Sequence, residues 1–309
     1  MKTVLITGGT GMVGRALTKA LLDKGYEVIV MGRGGVRDAA LRQAQDYNGL
    51  TFAKWNVEKQ EIDAAAFAKT DYIIHLAGAG VADKRWTVKR KQEIVDSRVK
   101  SGALLVHSLK SIPNKVKAVI SASAIGWYGA DTIARKFEEP DKAADDFLGQ
   151  TCKQWEESIE PVAALGKRLI KLRIGIVLST EGGALREFIK PLQFGIASIL
   201  GSGRQIISWI HIDDLVNMFI KAIESEDING VYNAVAPSPV SNKELILTLA
   251  KARNKFYIPV PVPSFVLKMM LGEMSIEILK SATVSSAKAE KAGFSFQYPS
   301  IAAAVKSFF

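Results

Sequence analysis

The sequence predicts an open, doubly wound parallel α/β sheet with a smaller, mainly helical C-terminal lobe. Three observations carry that prediction. A glycine-rich turn joins a short apolar run to a helical pattern within the first 25 residues. Apolar runs of strand length then alternate with helical patterns to about residue 180, as βαβ units require. Beyond residue 180 the alternation fails, and no repeat or low-complexity linker separates the two regions.

The first unit is the most informative. Val4-Leu5-Ile6-Thr7 reads as a buried strand, Gly8-Gly9-Thr10-Gly11-Met12-Val13-Gly14 as the turn, and Arg15 to Leu22 as a helix ending near Gly25. A strand, a glycine turn and a helix start form the context in which this spacing signals dinucleotide binding on a Rossmann-type sheet. Gly8 permits the tight turn, Gly11 lets the backbone approach a pyrophosphate, and Gly14 lets the helix pack closely. The helix N-terminus offers free N–H groups and a positive dipole end to the phosphates. Thr10 lies in the same turn and joins the cofactor-binding set.

The second strand, Tyr26 to Met31, decides which dinucleotide. A fold that prefers NAD places an acid about twenty residues after the glycines, to bind the ribose 2′-hydroxyl. Gly32 and Arg33 stand there instead. A guanidinium suits a 2′-phosphate by charge and by its forked geometry, and Arg37 is near enough to assist. The cofactor is therefore read as NADP(H).

Further apolar runs at 50–57, 71–77, 116–122 and 168–178 supply the third to sixth strands, with helical patterns at Glu93–Leu109 and Phe147–Leu165 between them. Glu181-Gly182-Gly183 is a loop, and Leu185 to Phe194 a helix. Asp213 to Glu224 is a helix with acids where they suit its dipole. Residues 230–236 read as one more strand, returning to the sheet. Ser241 with Glu244 has capping-box spacing for a helix to Ala252. The prolines from Pro259 to Pro263 suggest a loop leading into a buried helix ending at Leu271. The chain thus divides into a nucleotide-binding domain over 1–180 and a substrate lobe over 181–309. The lobe should roof the crevice at the strands' carboxyl ends.

Composition narrows the class. The 309 residues are 48% hydrophobic and 23% charged, which suits a globular chain with a large core. A single cysteine, Cys152, excludes an internal disulfide and fits a reducing, cytoplasmic compartment. The N-terminal apolar run is broken by glycines and does not read as a signal peptide. No apolar stretch reaches the ~20 residues of a membrane span, so no membrane partner is expected. The net charge of +10 could serve nucleic acid, but the cations are scattered and no run is interleaved with aromatics. The densest stretch, Lys84 to Lys100, follows the fourth strand, where it either helps hold an anionic cofactor or is simply solvated. Three histidines and one cysteine are too few and too dispersed for a metal site.

Several further motifs are recognisable: His75-Leu76-Ala77-Gly78-Ala79; Lys84-Arg85-Trp86 with Lys91-Gln92-Glu93-Ile94 and Ser97-Arg98; Ser121 to Gly129; Trp155-Glu156; Gly201-Ser202-Gly203 with Gln205; and Ser208 to Leu215. Together with the glycine turn they resemble the extended short-chain dehydrogenase/reductases. More closely they resemble an atypical subgroup, the epimerase family of nucleoside-diphosphate-sugar-epimerase-like proteins, from residue 3 to about 300. The resemblance implies NADP contacts from Gly8, Gly11, Met12, Val13, Gly32, Arg33, Leu76, Ala77, Gly78 and Ser121. It further implies nicotinamide-side contacts from Glu93 and Arg98, with Ile176 and Val177 bordering the ring at the sixth strand.

Three departures matter more than the matches. The superfamily's catalytic Tyr-x-x-x-Lys, whose Tyr is the general acid/base and whose Lys lowers its pKa, falls on Leu148 and Cys152. The tetrad Asn is replaced by Arg98, and the arginine that clamps a sugar-nucleotide diphosphate by Ile207, with Arg204 three residues away. Ser123 matches the superfamily's catalytic serine, and Tyr128 could supply a phenol; each has a structural alternative, as a strand-end hydroxyl and as an aromatic packed beside Trp127. His211 is read as structural. Two functions stay open: hydride transfer on a small carbonyl or hydroxyl substrate, assisted by Ser123 and Tyr128, or a non-catalytic dinucleotide-binding sensor or scaffold. Some members of the group are described as cell-division inhibitors, which fits the second.

Overall fold

A computed structural model describes residues 1–32, 48–131 and 135–309. The main sheet contains β1 (Thr3–Thr7), β2 (Glu27–Gly32), β3 (Leu50–Asn56), β4 (Glu61–Ile62), β5 (Tyr72–His75), β6 (Ala118–Ala124), β7 (Arg168–Ile174) and β12 (Gly230–Ala234). Their order is β12-β7-β6-β5-β1-β2-β3-β4. Every neighbouring pair is parallel except β3 with the short β4. The chain winds outward from β1 through β2 to β3, then returns to β5 and winds the other way. That reversal leaves a crevice beyond the carboxyl ends of β1 and β5.

The period of two in each strand makes the two core layers. Val4 and Ile6 face α1 (Met12–Asp23) and α4 (Ile212–Glu224), against Leu17, Leu21, Leu215 and Phe219. Leu5 and Ile73 face the opposite layer, with Phe67, Leu104, Leu105 and Ile159. The latter layer uses α2 (Val88–Ser111) and α3 (Phe147–Ile159). Burying each such side chain is worth about 1.5–3 kcal/mol.

Four elements differ from expectation. The apolar run 168–178 is two strands in two sheets. At Gly175 a Cβ would lie 2.7 Å from the Ser208 carbonyl oxygen, so the chain passes close there and turns away. The second piece, β8 (Ile176–Leu178), pairs with β11 (Trp209–His211). The helix expected from Glu93 begins at Val88, because Thr87 accepts the Arg90 N–H as its cap. The proline-rich segment is a strand, not a loop: β14 (Ile258–Val262) runs parallel to β9 (Ile196–Leu200). The helix after it, α6 (Ser264–Leu271), expected to be buried, buries only Leu267 and leaves most of its surface in solvent. Between β14 and α4, α5 (Asn242–Ala252) starts at Ser241, which accepts the Glu244 N–H as its spacing suggested.

Candidate functional site

The first wall of the site is the glycine turn. Gly8 holds φ +71°, and a Cβ there would lie 2.9 Å from the Leu76 carbonyl carbon. Glycine is thus required where the turn meets the end of β5. Gly14 cannot carry a Cβ either, since one would lie 2.5 Å from the Gly9 Cα; it packs against the turn itself. At Gly11 a Cβ would meet only the Gly8 carbonyl, at 3.3 Å, and at Gly32 nothing. The space over both is open for a ligand. Gly11 also caps α1 without any side-chain partner, so the first N–H groups of that helix remain available.

That space is a cleft of about 1200 Å³, above the ~300–1,000 Å³ usual for small-ligand pockets. Gly8, Thr10, Gly11, Gly32, Leu76, Ala77, Gly78 and Glu93 all line it. Arg33 and Arg37 lie outside the described residues. Met12 packs its sulfur against Gly182 and Gly183, and Val13 packs on the core. Ser121 is buried in β6, where its hydroxyl donates to the Ala122 carbonyl. Ile176 is partly exposed on β8, with Val177 packed on the core beside it.

Sequence reasoning missed one stretch of the far wall, residues 55–58, and singled out the other, the basic stretch from Lys84 to Lys100. Trp55, Asn56, Val57 and Glu58, at and just beyond the carboxyl end of β3, line the cleft, as do Lys84, Lys89, Arg90 and Lys100. The rule that ligands sit beyond strand carboxyl ends could have found the first four. The charges there sort themselves. Lys100 pairs with Glu58 and Asp96, and Arg90 with Glu93 and Asp83. Among the described residues, Lys84 and Lys89 have no acidic partner.

Arg98 plays a different part from a wall residue. It is buried, donates to the carbonyls of Ala79 and Ile94, and lies 4.9 Å from the Trp155 ring centre. A Cβ at Gly78 would be 3.0 Å from its guanidinium carbon. Arg98 therefore braces the 78–80 loop from beneath. Burial, then Arg90, lowers its pKa from the usual value. His75, at the foot of that loop, hydrogen-bonds Thr7 Oγ1 at 2.7 Å through Nδ1. Burial, reinforced by Arg98, pushes its pKa down to about 3, so the ring is neutral.

Of the candidate catalytic hydroxyls, Ser123 lies on β6 and Tyr128 in the helical turn after it, in a closed network that reaches Arg173 on β7. Ser123 Oγ donates to Glu156 Oε1 at 2.7 Å. Arg173 donates to the same oxygen through Nε at 2.8 Å, and through Nη1 to the Tyr128 hydroxyl at 3.0 Å. That hydroxyl donates to Asn233 Oδ1 at 2.6 Å. The Arg173 guanidinium also lies 3.6 Å from the Trp127 ring centre. Ser123 is 2% exposed and Tyr128 4%. Burial raises the Tyr128 phenol to about 12, against the lowering pull of Arg173. Leu148 and Cys152 lie on α3, packed against Gly126. The thiol is likewise pushed up to about 12 by burial. His211 caps α4 through Nδ1, which accepts the Asp213 N–H, and its ring packs between Tyr298 and Phe308. Ile207 lies on β10 (Ile206–Ile207), paired with β13 (Val240–Ser241). No group of metal-ligating side chains forms among the described residues.

A dinucleotide-type cleft on an eight-stranded Rossmann sheet defines the class. Residues 4–147 match the NAD dependent epimerase/dehydratase family, and residues 262–308 match a domain of unknown function, DUF1731. The chain is 35% identical to the epimerase family protein YfhF of Bacillus subtilis, covering 96% of this chain and 94% of that one. It is 31% identical to the chloroplastic SDR39U1 homologue of Arabidopsis thaliana, covering 99% and 86%. The crystal structure of human epimerase family protein SDR39U1, solved with NADPH, superposes with TM-score 0.86 at 28% identity, covering 99% of this chain and 98% of that one. The chain belongs to the epimerase family, as an atypical member of the short-chain dehydrogenase/reductase type.

Proposed function

We propose that this chain binds NADP(H) in the cleft beyond β1, β2, β3 and β5, and acts there as an NADP(H)-responsive binding protein without the proton relay of working epimerases. One observation carries the reading. Both hydroxyls offered for proton transfer donate their only proton inside a buried network, Ser123 to Glu156 and Tyr128 to Asn233. Neither is aimed at the cleft, and a phenol raised to about 12 is a poor acid/base near neutrality.

The cleft fits the dinucleotide. Its open glycine backbone and the α1 N-terminus suit a pyrophosphate. Lys84 and Lys89, which have no acidic partner among the described residues, offer positive charge, and Arg33 suits the 2′-phosphate. Human SDR39U1, similar over nearly the whole chain, was crystallised with NADPH. When bound, the cofactor supplies a nicotinamide able to exchange hydride; the protein's part is to hold and orient it. A nucleic-acid partner is not needed to explain the densest basic stretch, since Lys84, Lys89, Arg90 and Lys100 of it line this cleft. The buried, unpaired thiol of Cys152 suits a reducing, cytoplasmic setting.

A second reading, hydride transfer on a small carbonyl or hydroxyl compound, draws support from Glu93, an acid on the cleft wall. In it Ser123 and Tyr128 leave their network when substrate binds. Titration followed by intrinsic fluorescence should show NADPH binding at least ten-fold tighter than NADH, about 1.4 kcal/mol, with the preference lost in Arg33→Ala. UDP-glucose should not bind, because Ile207 offers no charge to a diphosphate. An NADPH-oxidation screen against aldehydes, ketones and quinones decides between the readings. Turnover that Ser123→Ala lowers by about 10²-fold would overturn the first. Tight NADPH binding with no turnover supports it.

A further inference from the structure

Most of the large apolar side chains left exposed gather on one part of the lobe. β14 pairs with β9 in the register Ile258↔Ile196 and Val260↔Ser198. Ile196, Ile258 and Val260 therefore share the outer face, while Pro259 and Pro261 lie on the side of buried Ala197 and Ile199. Phe256, 83% exposed, precedes the strand. α6 follows it, with Phe265 at 69%, Met269 at 70% and Met270 at 66% exposed. Phe265 and Met269 are four residues apart and share one helix face. The two parts adjoin: at Gly201, just past β9, a Cβ would lie 2.7 Å from Leu279 and 3.3 Å from the Ser264 hydroxyl at the start of α6.

The charge along β14 and α6 has one sign, and the acids just beyond, Glu273 and Glu277, are paired with Lys91 and Lys280. From Leu245 to Gly272 the sequence holds Lys251, Arg253, Lys255 and Lys268 and no acid. Lys255 and Lys268 are exposed beside Phe256 and Met269. Among the described residues neither has an acidic partner.

These features discriminate between occupants. The Ile258 N–H donates to Gly195 and the Val262 carbonyl accepts from Gly201, so 258, 260 and 262 turn their backbone toward β9. The prolines at 259 and 261 fall at the outward positions, where they remove the donors an added strand would need. A second copy seated face to face would set one basic face against another, with no acid between Leu245 and Gly272 to compensate it. An anionic surface meets both the lysines and the apolar side chains.

We propose that this face of the lobe rests on an anionic lipid surface. Phe265, Met269 and Met270 enter the boundary between headgroups and acyl chains, and Lys255 and Lys268 lie against lipid phosphates. Such attachment lies on a bilayer and needs no spanning helix; none of the described helices is long and apolar enough to span. It departs from the expectation of no membrane partner, and it does not depend on what the cleft binds.

Flotation of the full chain tests it. Vesicles of phosphatidylcholine alone are compared with an equal mixture of phosphatidylcholine and phosphatidylglycerol. The wild type should float with the mixed vesicles at least ten-fold more than with the neutral ones, less so at high salt. Phe265→Glu/Met269→Glu and Lys255→Glu/Lys268→Glu should each lose that binding, with melting temperature and NADPH affinity unchanged. If the first pair unfolds, Phe265→Ser/Met269→Ser replaces it. Wild type that stays in solution with both vesicle types overturns the proposal, as does a Phe265/Met269 variant that floats equally well. A soluble wild-type dimer that the same variant dissolves would instead assign the face to contact between copies.

Discussion

The two ends of one sheet edge are built on opposite plans. Beyond β1, β2 and β5 the cleft walls include open glycine backbone and two lysines that, among the described residues, have no counter-charge: groups left for something else to satisfy. Beyond β6 and β7 the side chains of Ser123, Glu156, Arg173, Tyr128 and Asn233 are already closed on one another. An open site must tolerate water until its ligand arrives. A closed network must not, because buried charge is tolerable only when fully paired. The contrast separates a place kept for binding from a place that, in working epimerases, would do proton chemistry.

The largest effect that could break this comparison is at Glu156. Replacing it with Ala leaves Arg173 buried without its carboxylate. Urea unfolding should then show a loss of about 3–5 kcal/mol, with NADPH affinity in the surviving folded protein nearly unchanged. A variant as stable as wild type would mean that water reaches the network and that it is not closed.

His75 lies between the two regions, under the cleft loop. Its folded pKa of about 3 is below the ordinary 6.5, so folding favours the neutral ring. The stability this provides is complete above the unfolded pKa, near 6.5, and is lost as pH falls from there toward 3. The slope is about 1.4 kcal/mol per pH unit below 6.5. Asp214 and Glu277, raised by burial, act in the opposite sense, so the difference from His75→Gln is the quantity to measure. Denaturant unfolding at pH 5 and pH 7 should show a shallower acid loss in the variant. Equal slopes would show that the ring is already protonated or reached by water.

Ser123→Ala should cost less, about 1.5 kcal/mol, because Glu156 keeps Arg173 and, at 3.6 Å, Lys171. NADPH affinity should not change. A variant that keeps full stability but loses NADPH binding would move Ser123 from the closed region to the open one.

What the sequence made legible follows the same division. The glycine turn and the strands beside it were readable because their requirements are local: Gly8 must adopt positive φ, and Gly11 must leave space. The network was not, because nothing in the spacing of Ser123, Glu156 and Arg173 says that a strand, a helix and the next strand point them at one spot. The break at Gly175 was hidden inside a continuous apolar run; only the approach of Ser208 from the lobe makes it necessary. β14 escaped notice because two prolines in five residues argue against a strand. The rule that prolines are tolerated on an open edge rescues it, but an edge cannot be recognised before the sheet is known. Lys84 and Lys89 were visible as charge, yet only the pairing of their neighbours sets them apart.

That pairing gives the smallest and sharpest prediction. Of the four cations on the cleft wall, Lys100 and Arg90 are held by Glu58, Asp96, Glu93 and Asp83, so their charge is already compensated. Lys84 and Lys89 should carry whatever long-range attraction the wall exerts on an anion. Each is solvent-exposed and flexible, so each is worth no more than a screened charge pair, about 0.5–1 kcal/mol. Lys84→Ala/Lys89→Ala should weaken NADPH several-fold and flatten the dependence of affinity on salt, since the lost interaction is the one salt screens. Lys100→Ala, tested beside it, should do neither to the same degree. A double variant that binds NADPH as tightly and with the same salt dependence as wild type would place the cofactor's phosphates away from this wall, leaving the α1 N-terminus and Arg33 to hold them.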